Sequence, residues 1–204
     1  MTPEDQARLH KATAFVLHHH ASQKRKGSSV PYVSHLLQVS GSVLEYGGNV
    51  DQAIAALCHD TLEDCDEIEE MTLVAEFGHQ VAAIVVDCTD TLTGDTPQKK
   101  SDWLTRKQAY LDHLSQAPAE SVLVAACDKL HNLSSIVADV RAEGIEYLER
   151  FNATPAQQVW YFSEFLERTK DRLPTRLALV FKEQLLCFKS QLHAAKLLSE
   201  KNTS

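Results

Sequence analysis

Histidine and aspartate side chains at three separated places in the sequence could together hold a divalent cation. They are His35, the adjacent pair His59 and Asp60, and Asp128. Neutral imidazole supplies nitrogen and carboxylate supplies hard oxygen, and such a mixed set leaves coordination positions open for water and substrate. Because consecutive helical residues point about 100° apart, His59 and Asp60 can converge only on an ion that lies between their directions. The dipeptide alone is therefore weak evidence for a metal site, and its meaning depends on its surroundings.

Two acidic residues follow the histidine–aspartate pair closely. Glu63 lies four positions after His59, and Asp64 lies four positions after Asp60. On a helix, each acid would share a face with one proposed ligand. A bound cation lowers the pKa of its water, while one acid can take or steer the proton and one can serve the leaving oxygen. Taken alone these acids would be a solvated helix end, but in this position they favour hydrolysis of a phosphate ester.

A third segment, DKLHNL, begins at Asp128 and adds two polar side chains. Lys129 could supply positive charge to a substrate. Asn132 lies one helical turn beyond Asp128 and could supply an amide. Both would suit a polar, anionic ligand.

The composition indicates which elements must position these residues. The 204 residues include 7 glycines and 6 prolines, about half of their ordinary combined share of about 12%. So few breakers favour long helices over a sandwich or barrel, which would need a turn every ~8–12 residues. We predict an all-α fold, and the length suits a single domain over residues 1–204.

Periodicity and capping signals predict where the helices lie. The predicted helices span residues 2–20, 35–46, 49–64, 103–114, 121–140, 154–173 and 175–199. Residues 24–31 and 91–102 are predicted to form loops because they lack apolar periodicity. The second loop is predicted to be mobile. Apolar residues from Leu177 to Leu192 recur with a 3.6-residue period. We interpret them as intramolecular packing, with the seam of a homodimer as the alternative.

Charge and cysteine usage exclude several classes of protein. The 20 basic and 28 acidic residues give a net charge of −8, which argues against nucleic-acid or membrane-surface binding, since both need a basic face. A small anionic ligand is still compatible if basic residues gather locally. Five cysteines, with no CxxC pair, favour reduced thiols over a disulfide framework. The start is acidic and polar, and the longest apolar stretch is far short of the ~20 residues of a membrane span. We expect a cytoplasmic protein.

Three motifs together resemble a known family. RKGSSVPYVSH, HDTLED and DKLHNL resemble the HD-superfamily hydrolase domain of the RelA/SpoT stringent-response enzymes, and more narrowly the stand-alone small alarmone hydrolases. The resemblance covers about residues 23–162, with the terminal helices at 154–199 completing the domain. Several spaced motifs in family order make the resemblance specific. The chain is too short to hold synthetase and regulatory domains as well, so only hydrolysis is implied.

The resemblance implies a role for each matching residue. It implies one manganese ion per chain, catalysis by the acid pair, and contacts to a nucleotide. The implied metal ligands are His35, His59, Asp60 and Asp128; the catalytic acids are Glu63 and Asp64; the substrate-binding residues are Arg25, Lys26, Lys129, Asn132 and Tyr161. The implied reaction removes the 3′-pyrophosphate of guanosine tetra- or pentaphosphate, (p)ppGpp, giving GDP or GTP and pyrophosphate.

Departures from the family pattern leave the substrate open. Cys65 stands where a threonine is usual and His131 where an aromatic residue is usual. Neither removes a ligand or an acid, but both lie near the substrate side. An adenosine alarmone, a 5′-nucleotide or the 2′-phosphate of NADPH are alternative substrates. A non-catalytic alarmone sensor is the alternative from another class, although a binder has no need of the acid pair.

Several residues beside the motifs have simpler interpretations. The basic residues at 24–26 form a local positive patch in an acidic chain, which a polyanionic substrate would need. Lys99, Lys100, Arg106 and Lys107 could add to this patch. Cys58 and Cys127 are interpreted as small buried residues, and the run of histidines at 18–20 as part of a surface helix.

Overall fold

The computed structural model describes residues 1–90 and 101–202, and it describes side chains as far as residue 196. Within these ranges the chain forms ten α-helices, two short 3-10 helices and no β-strand. The backbone pairs in β fashion at one isolated bridge in these ranges, between Lys24 and Pro31. The prediction of an all-α fold is confirmed. Residues 91–100 of the predicted loop at 91–102 lie outside the described residues, and these include Lys99 and Lys100.

The predicted helices recur in order with small shifts at their ends, except that the helix predicted over 49–64 is divided in two. They are α1 (Pro3–His19), α2 (Val33–Glu45), α3 (Val50–Cys58), α4 (Thr61–Asp64), α5 (Glu70–Phe77), α6 (His79–Cys88), α7 (Trp103–Gln116), α8 (Ala119–Glu143), α9 (Pro155–Thr169) and α10 (Thr175–Asn202). The 3-10 helices span Ile145–Arg150 and Lys170–Arg172. The helix predicted over 154–173 therefore ends as an α-helix at Thr169 and tightens in its last turn.

The chain divides into two compact units, which span Met1–Asp128 and Lys129–Ser204. In the first unit α3 is the central helix, because it packs against α1, α2 and α6 and seven of its nine residues are buried. Three of those are alanines, whose small side chains let neighbouring helices approach closely. The assignment of residues 1–204 to one domain stays a prediction.

Capping residues fix where two helices of the first unit begin. The Thr2 hydroxyl accepts a hydrogen bond from the Asp5 amide, and the Asp5 carboxylate accepts one from the Thr2 amide. Asn49 and Gln52 form the same reciprocal pair at the start of α3. Each pair satisfies two backbone donors that a helix leaves without an intrahelical partner.

Two glycines end α2 and allow α3 to follow at once. Gly47 has a φ of +90°, a conformation that side chains with a Cβ atom rarely adopt. At Gly48 a Cβ atom would lie 2.5 Å from Cγ1 of Val43. The short connection brings α2, which carries His35, against α3, which leads into His59.

A break between α3 and α4 corrects the prediction of one helix over 49–64. The α-helix ends at Cys58, and His59 and Asp60 connect it to the short α4. Asp60 has φ −100° and ψ 0°, the geometry of a turn residue. The Thr61 hydroxyl donates to the Cys58 carbonyl at 2.7 Å, which satisfies an acceptor that the interrupted helix leaves open. This turn lets the adjacent His59 and Asp60 side chains point toward one place.

Aromatic residues build the core of the second unit. Phe165 and Phe181 stack with ring centroids 5.5 Å apart, which joins α9 to α10. The predicted stripe on α10 is buried at Leu177, Phe181, Leu185 and Phe188, as intramolecular packing requires. Its role as a dimer seam stays untested.

Neither disulfides nor membrane-spanning helices occur in the part of the chain that the structure describes. All five cysteines lie there, and none of them forms a disulfide. Every helix in the described ranges is too short or too polar to cross a bilayer.

Candidate metal centre

Three buried side chains of the first unit converge where the sequence predicts a metal site. His35, on α2, and His59, in the turn after α3, place their Nε2 atoms 3.3 Å apart. Oδ1 of Asp128, on α8, lies 3.2 Å from His35 Nε2 and 3.5 Å from His59 Nε2. All three residues are at least 97% buried. Their donor atoms form a group that could hold a metal ion.

The fourth predicted ligand, Asp60, lies beside this group. Its Oδ2 is 3.0 Å from His59 Nε2 and 3.7 Å from His35 Nε2. For an ion about 2.1 Å from each donor, neighbouring donors lie about 3.0 Å apart in an octahedral site and about 3.4 Å apart in a tetrahedral one. The observed separations of 3.0 to 3.7 Å fit such a site. Two imidazole nitrogens and two carboxylate oxygens are donors for a borderline or hard divalent cation.

A backbone carbonyl orients the His59 ring. Nδ1 of His59 lies 2.8 Å from the Ala56 carbonyl oxygen. A carbonyl can only accept a hydrogen bond, so Nδ1 carries a hydrogen. Nε2 faces the other candidate ligand atoms, which belong to His35, Asp60 and Asp128. This is the usual way in which a metal-ligating histidine is held, with its second nitrogen bonded outside the coordination sphere.

Burial and neighbouring charges shift the pKa values of His35, His59 and Asp60. Burial would lower the pKa of His59, but the nearby carboxylates of Asp60 and Asp128 outweigh burial and raise it well above its ordinary value. Burial also would raise the pKa of Asp60, but His59 holds it well below the usual range. For His35 burial dominates and lowers the pKa. The centre therefore combines an ionised Asp60 with one imidazole that retains a proton and one that is neutral.

Tyr32 belongs to the centre although the sequence analysis does not assign it a role. Its hydroxyl donates to Oδ2 of Asp60 at 2.5 Å, and its ring lies 5.5 Å from that of His35. Burial and the Asp60 charge raise the pKa of Tyr32 far above its ordinary value, so the phenol keeps its proton and donates. The motif PYVSH could have indicated this contact, because Tyr32 lies three residues before His35 and therefore about one helical turn away.

The Glu63 side chain is hydrogen-bonded to the backbone just after α6. Its Oε1 accepts a hydrogen bond of 2.9 Å from the backbone amide of Asp90. The Asp90 side chain is buried and pairs with Arg106, at 2.6 Å, and with Lys107. Arg106 and Lys107 were predicted to extend the positive patch toward a substrate. The structure instead places both on a buried carboxylate, which anchors the backbone that holds Glu63.

Asp64 accepts a hydrogen bond from the segment before α2, and Arg25 of that segment contacts Tyr32. Oδ2 of Asp64 accepts from Nε2 of Gln23 at 2.7 Å. The Arg25 guanidinium lies 5.7 Å from the centroid of the Tyr32 ring, within the range of a cation–π contact. The structure thus places Arg25 next to the tyrosine that bonds Asp60, while Lys26 is exposed.

Three predicted substrate residues belong to the second unit. Lys129 and Asn132 lie on α8 and are half-buried, and Tyr161 lies on α9 and is buried. Their contacts to a nucleotide stay predictions.

His20 corrects the interpretation of residues 18–20 as part of a surface helix. His18 is exposed and His19 is half-buried, but His20 is 2% exposed and follows the last residue of α1. Three consecutive histidines show no helical periodicity, so no local pattern separates the third from the others. Cys58 and Cys127 are buried as expected, and burial raises the pKa of the Cys127 thiol to about 12.

A comparison with protein families finds a match to the HD domain over residues 12–151. The guanosine-3′,5′-bis(diphosphate) 3′-pyrophosphohydrolase MESH1 of Mus musculus is 34% identical over 134 residues, which cover 64% of this chain and 70% of that protein. Its counterpart from Homo sapiens is 33% identical over the same shares. A guanosine-3′,5′-bis(diphosphate) 3′-pyrophosphohydrolase of Aquifex aeolicus is 31% identical over 137 residues, which make up 18% of its length.

Solved structures support the fold. One, of a metazoan ortholog of SpoT that hydrolyzes ppGpp, has a TM-score of 0.66 and 23% identity over 87% of this chain and 93% of the other. A second, of a Listeria monocytogenes protein, has the same TM-score and 24% identity over 76% of this chain and 99% of its own. At these identities the likeness concerns the arrangement of helices alone.

Proposed function

Because this chain belongs to the HD domain family, we propose that it is a metal-dependent phosphohydrolase that acts on guanosine alarmones. It would remove the 3′-pyrophosphate of (p)ppGpp and give GDP or GTP and pyrophosphate. The observation that carries the proposal is the buried group of His35, His59 and Asp128, with an acid pair directly after the second of them. Relatives that carry the name of this activity support the choice of substrate class.

One divalent ion would be held by His35, His59, Asp60 and Asp128. We assign manganese to this position because the resemblance to the alarmone hydrolases implies it, and the mixed nitrogen and oxygen donors are compatible with such a divalent ion. A cation bound there would lower the pKa of a bound water and polarise a phosphoryl oxygen. Tyr32 fixes the orientation of Asp60, and Ala56 fixes that of His59, so the donors are held in place by their neighbours.

Glu63 and Asp64 would manage the proton transfers. Each is an acceptor-only group when ionised, and each is held by a donor from a different part of the first unit, Asp90 or Gln23. Held carboxylates close to a reacting water are suited to take its proton or to return one to the leaving oxygen.

Positive side chains would bind the phosphates of the substrate. Arg25 and Lys26 precede the metal centre in an acidic chain, so they would give a polyanion a local place to bind. Lys129 and Asn132 would add a charge and an amide, and Tyr161 would line the nucleotide pocket. These roles follow from the resemblance of the sequence motifs to the alarmone hydrolases and are proposals for this chain.

A product assay tests the proposal. The purified protein is incubated with guanosine tetraphosphate, its adenosine analogue, NADPH and a 5′-nucleotide, with manganese or with a chelator, and products are resolved by anion exchange. Manganese-dependent formation of GDP is the expected result. Release of phosphate from another compound alone would keep the reaction class and change the substrate. Tight binding of alarmone without turnover, with manganese confirmed bound, would overturn the proposal in favour of a sensor.

Binding of manganese should release about one proton near neutral pH. A cation and a proton compete for Nε2 of His59, whose raised pKa keeps it protonated there, while His35, whose pKa is lowered, and the ionised Asp60 contribute none. Apparent affinity should therefore fall about tenfold from pH 7 to pH 6. Titration calorimetry in two buffers of different ionisation enthalpy measures both quantities. An affinity that does not change with pH would contradict this ligand assignment.

A further inference from the structure

We propose that Gln23, itself held by His20, is a positioning residue that fixes the orientation of the Asp64 carboxylate. The inference deepens the proposed function and rests on it, since Asp64 matters to catalysis only if the hydrolysis occurs. Neither Gln23 nor His20 has a role in the metal site or in the substrate contacts described above.

A chain of hydrogen bonds runs from the interior to Asp64. Oδ2 of Asp64 lies 2.7 Å from Nε2 of Gln23, and Oε1 of Gln23 lies 2.5 Å from Nδ1 of His20. On the other side of its ring, Nε2 of His20 lies 3.8 Å from Sγ of Cys65. The chain thus starts and ends at adjacent residues, Asp64 and Cys65, and passes through the segment that follows α1.

The chemistry of each group sets one direction for the chain. An ionised carboxylate only accepts, so the Gln23 amide must present its NH₂ group to Asp64 and its oxygen to His20. That oxygen also only accepts, so His20 carries a hydrogen on Nδ1. Burial raises the pKa of the Cys65 thiol to about 12, so the thiol keeps its proton, and the acceptors within its reach are the His19 carbonyl at 3.9 Å and Nε2 of His20 at 3.8 Å. Every donor then meets an acceptor.

The backbone holds Gln23 as firmly as its side-chain contacts do. Its amide donates to the His20 carbonyl at 3.1 Å, and its carbonyl accepts from the Tyr32 amide at 2.9 Å. His20 is 2% exposed and stacks on the Tyr32 ring at 5.6 Å. Because Tyr32 also donates to Asp60, one aromatic ring supports both a proposed metal ligand and the chain that reaches Asp64.

Asp64 needs such support because of where it lies. It is exposed and ends the four-residue helix α4. An exposed carboxylate at a helix end would sample several rotamers, and each wrong rotamer removes the acid from the reacting water. A hydrogen bond from a buttressed amide selects one rotamer. Loss of this bond should lower kcat and leave the KM for the alarmone nearly unchanged, since Gln23 does not bind phosphate.

Kinetic comparison of variants tests the chain. Gln23→Ala and His20→Ala should each lower kcat for (p)ppGpp by about 10- to 100-fold, as loss of an orienting partner commonly does, with KM within about twofold. His20→Asn should recover most of the activity, because the Asn amide nitrogen can occupy the place of Nδ1. His19→Ala is the matched control, since the His19 ring pairs with the exposed Glu67 instead. Unchanged kcat in folded Gln23→Ala would overturn the inference.

A spectroscopic measurement separates this inference from the proposed function. Nitrogen-15 NMR of the imidazole of His20 should show the Nδ1–H tautomer in the wild-type protein and a change of its shifts in Gln23→Ala. An Nε2–H tautomer in the wild type would overturn the inference even if hydrolysis is confirmed. If the wild type shows the Nδ1–H tautomer but hydrolyses no alarmone, the proposed function fails while the chain to Asp64 stands.

Discussion

Glu63→Gln is expected to retain the metal ion and to lose most of its turnover. The substitution keeps the size of the side chain and an oxygen that can still accept from the Asp90 amide. It removes the group that can take a proton, and general acid–base catalysis is commonly worth about 10²- to 10⁴-fold in rate. We expect kcat to fall within this range, measured with (p)ppGpp and saturating manganese. Manganese content of the purified variant, determined by mass spectrometry, should equal that of the wild type.

The matched control for this variant is Glu67→Gln. Glu67 is an exposed glutamate four residues further along, and it pairs with His19 rather than with the metal centre. Its substitution should leave both kcat and metal content unchanged. Wild-type turnover in Glu63→Gln would remove Glu63 from the mechanism and leave the proton transfers to Asp64. A loss of manganese in the same variant would instead show that Glu63 acts on the ion.

Asp128→Ala is expected to lose the metal ion. Oδ1 of Asp128 lies 3.2 and 3.5 Å from the two histidine nitrogens, and no other carboxylate in the described part of the chain joins them from α8. Without it, the three remaining donors come from α2 and the turn after α3. We expect less than about one tenth of the wild-type manganese to remain after desalting, and activity to fall with it.

Two further variants make the loss of metal interpretable. Asp128→Asn keeps the shape of the side chain and removes its charge, so it should also bind manganese poorly while retaining the fold. Asp139→Ala, about three turns further along the same helix, should bind manganese like the wild type. A circular dichroism melt confirms that each variant is folded. Undiminished manganese in folded Asp128→Ala would contradict the ligand assignment.

The starts and ends of helices could be predicted where local chemistry decides them. Thr2 and Asn49 cap α1 and α3 through bonds within four residues, and Gly47 and Gly48 end α2. The break at His59 and Asp60 could not be predicted in this way. The bonds around it include a long-range contact, from Tyr32 to Asp60, and a helical pattern carries no record of such contacts.

The candidate site shows the same division between local and long-range signals. The ligand residues could be singled out because their types and order match a motif, and the structure brings His35, His59 and Asp128 together. The hydrogen bonds of Asp90, Gln23 and His20 to the acid pair and its neighbours could not be predicted, because residues in connecting segments acquire such roles from packing. Arg106 and Lys107 were interpreted as additions to the positive patch for the opposite reason, since their charge is visible in the sequence but their ion pairs with the buried Asp90 are not.

The order of the ligands along the chain has a consequence for how the protein is made. His35, His59 and Asp60 lie within 26 residues of each other, whereas Asp128 follows 68 positions later. A nascent chain that has emerged only as far as α7 carries both histidines but lacks the α8 carboxylate. If the four residues hold an ion as proposed, the full set forms only after α8 has left the ribosome and docked, since a preformed site rarely exists before folding. An ion held by this set would therefore be acquired only after Asp128, the last residue of the first unit, has been made.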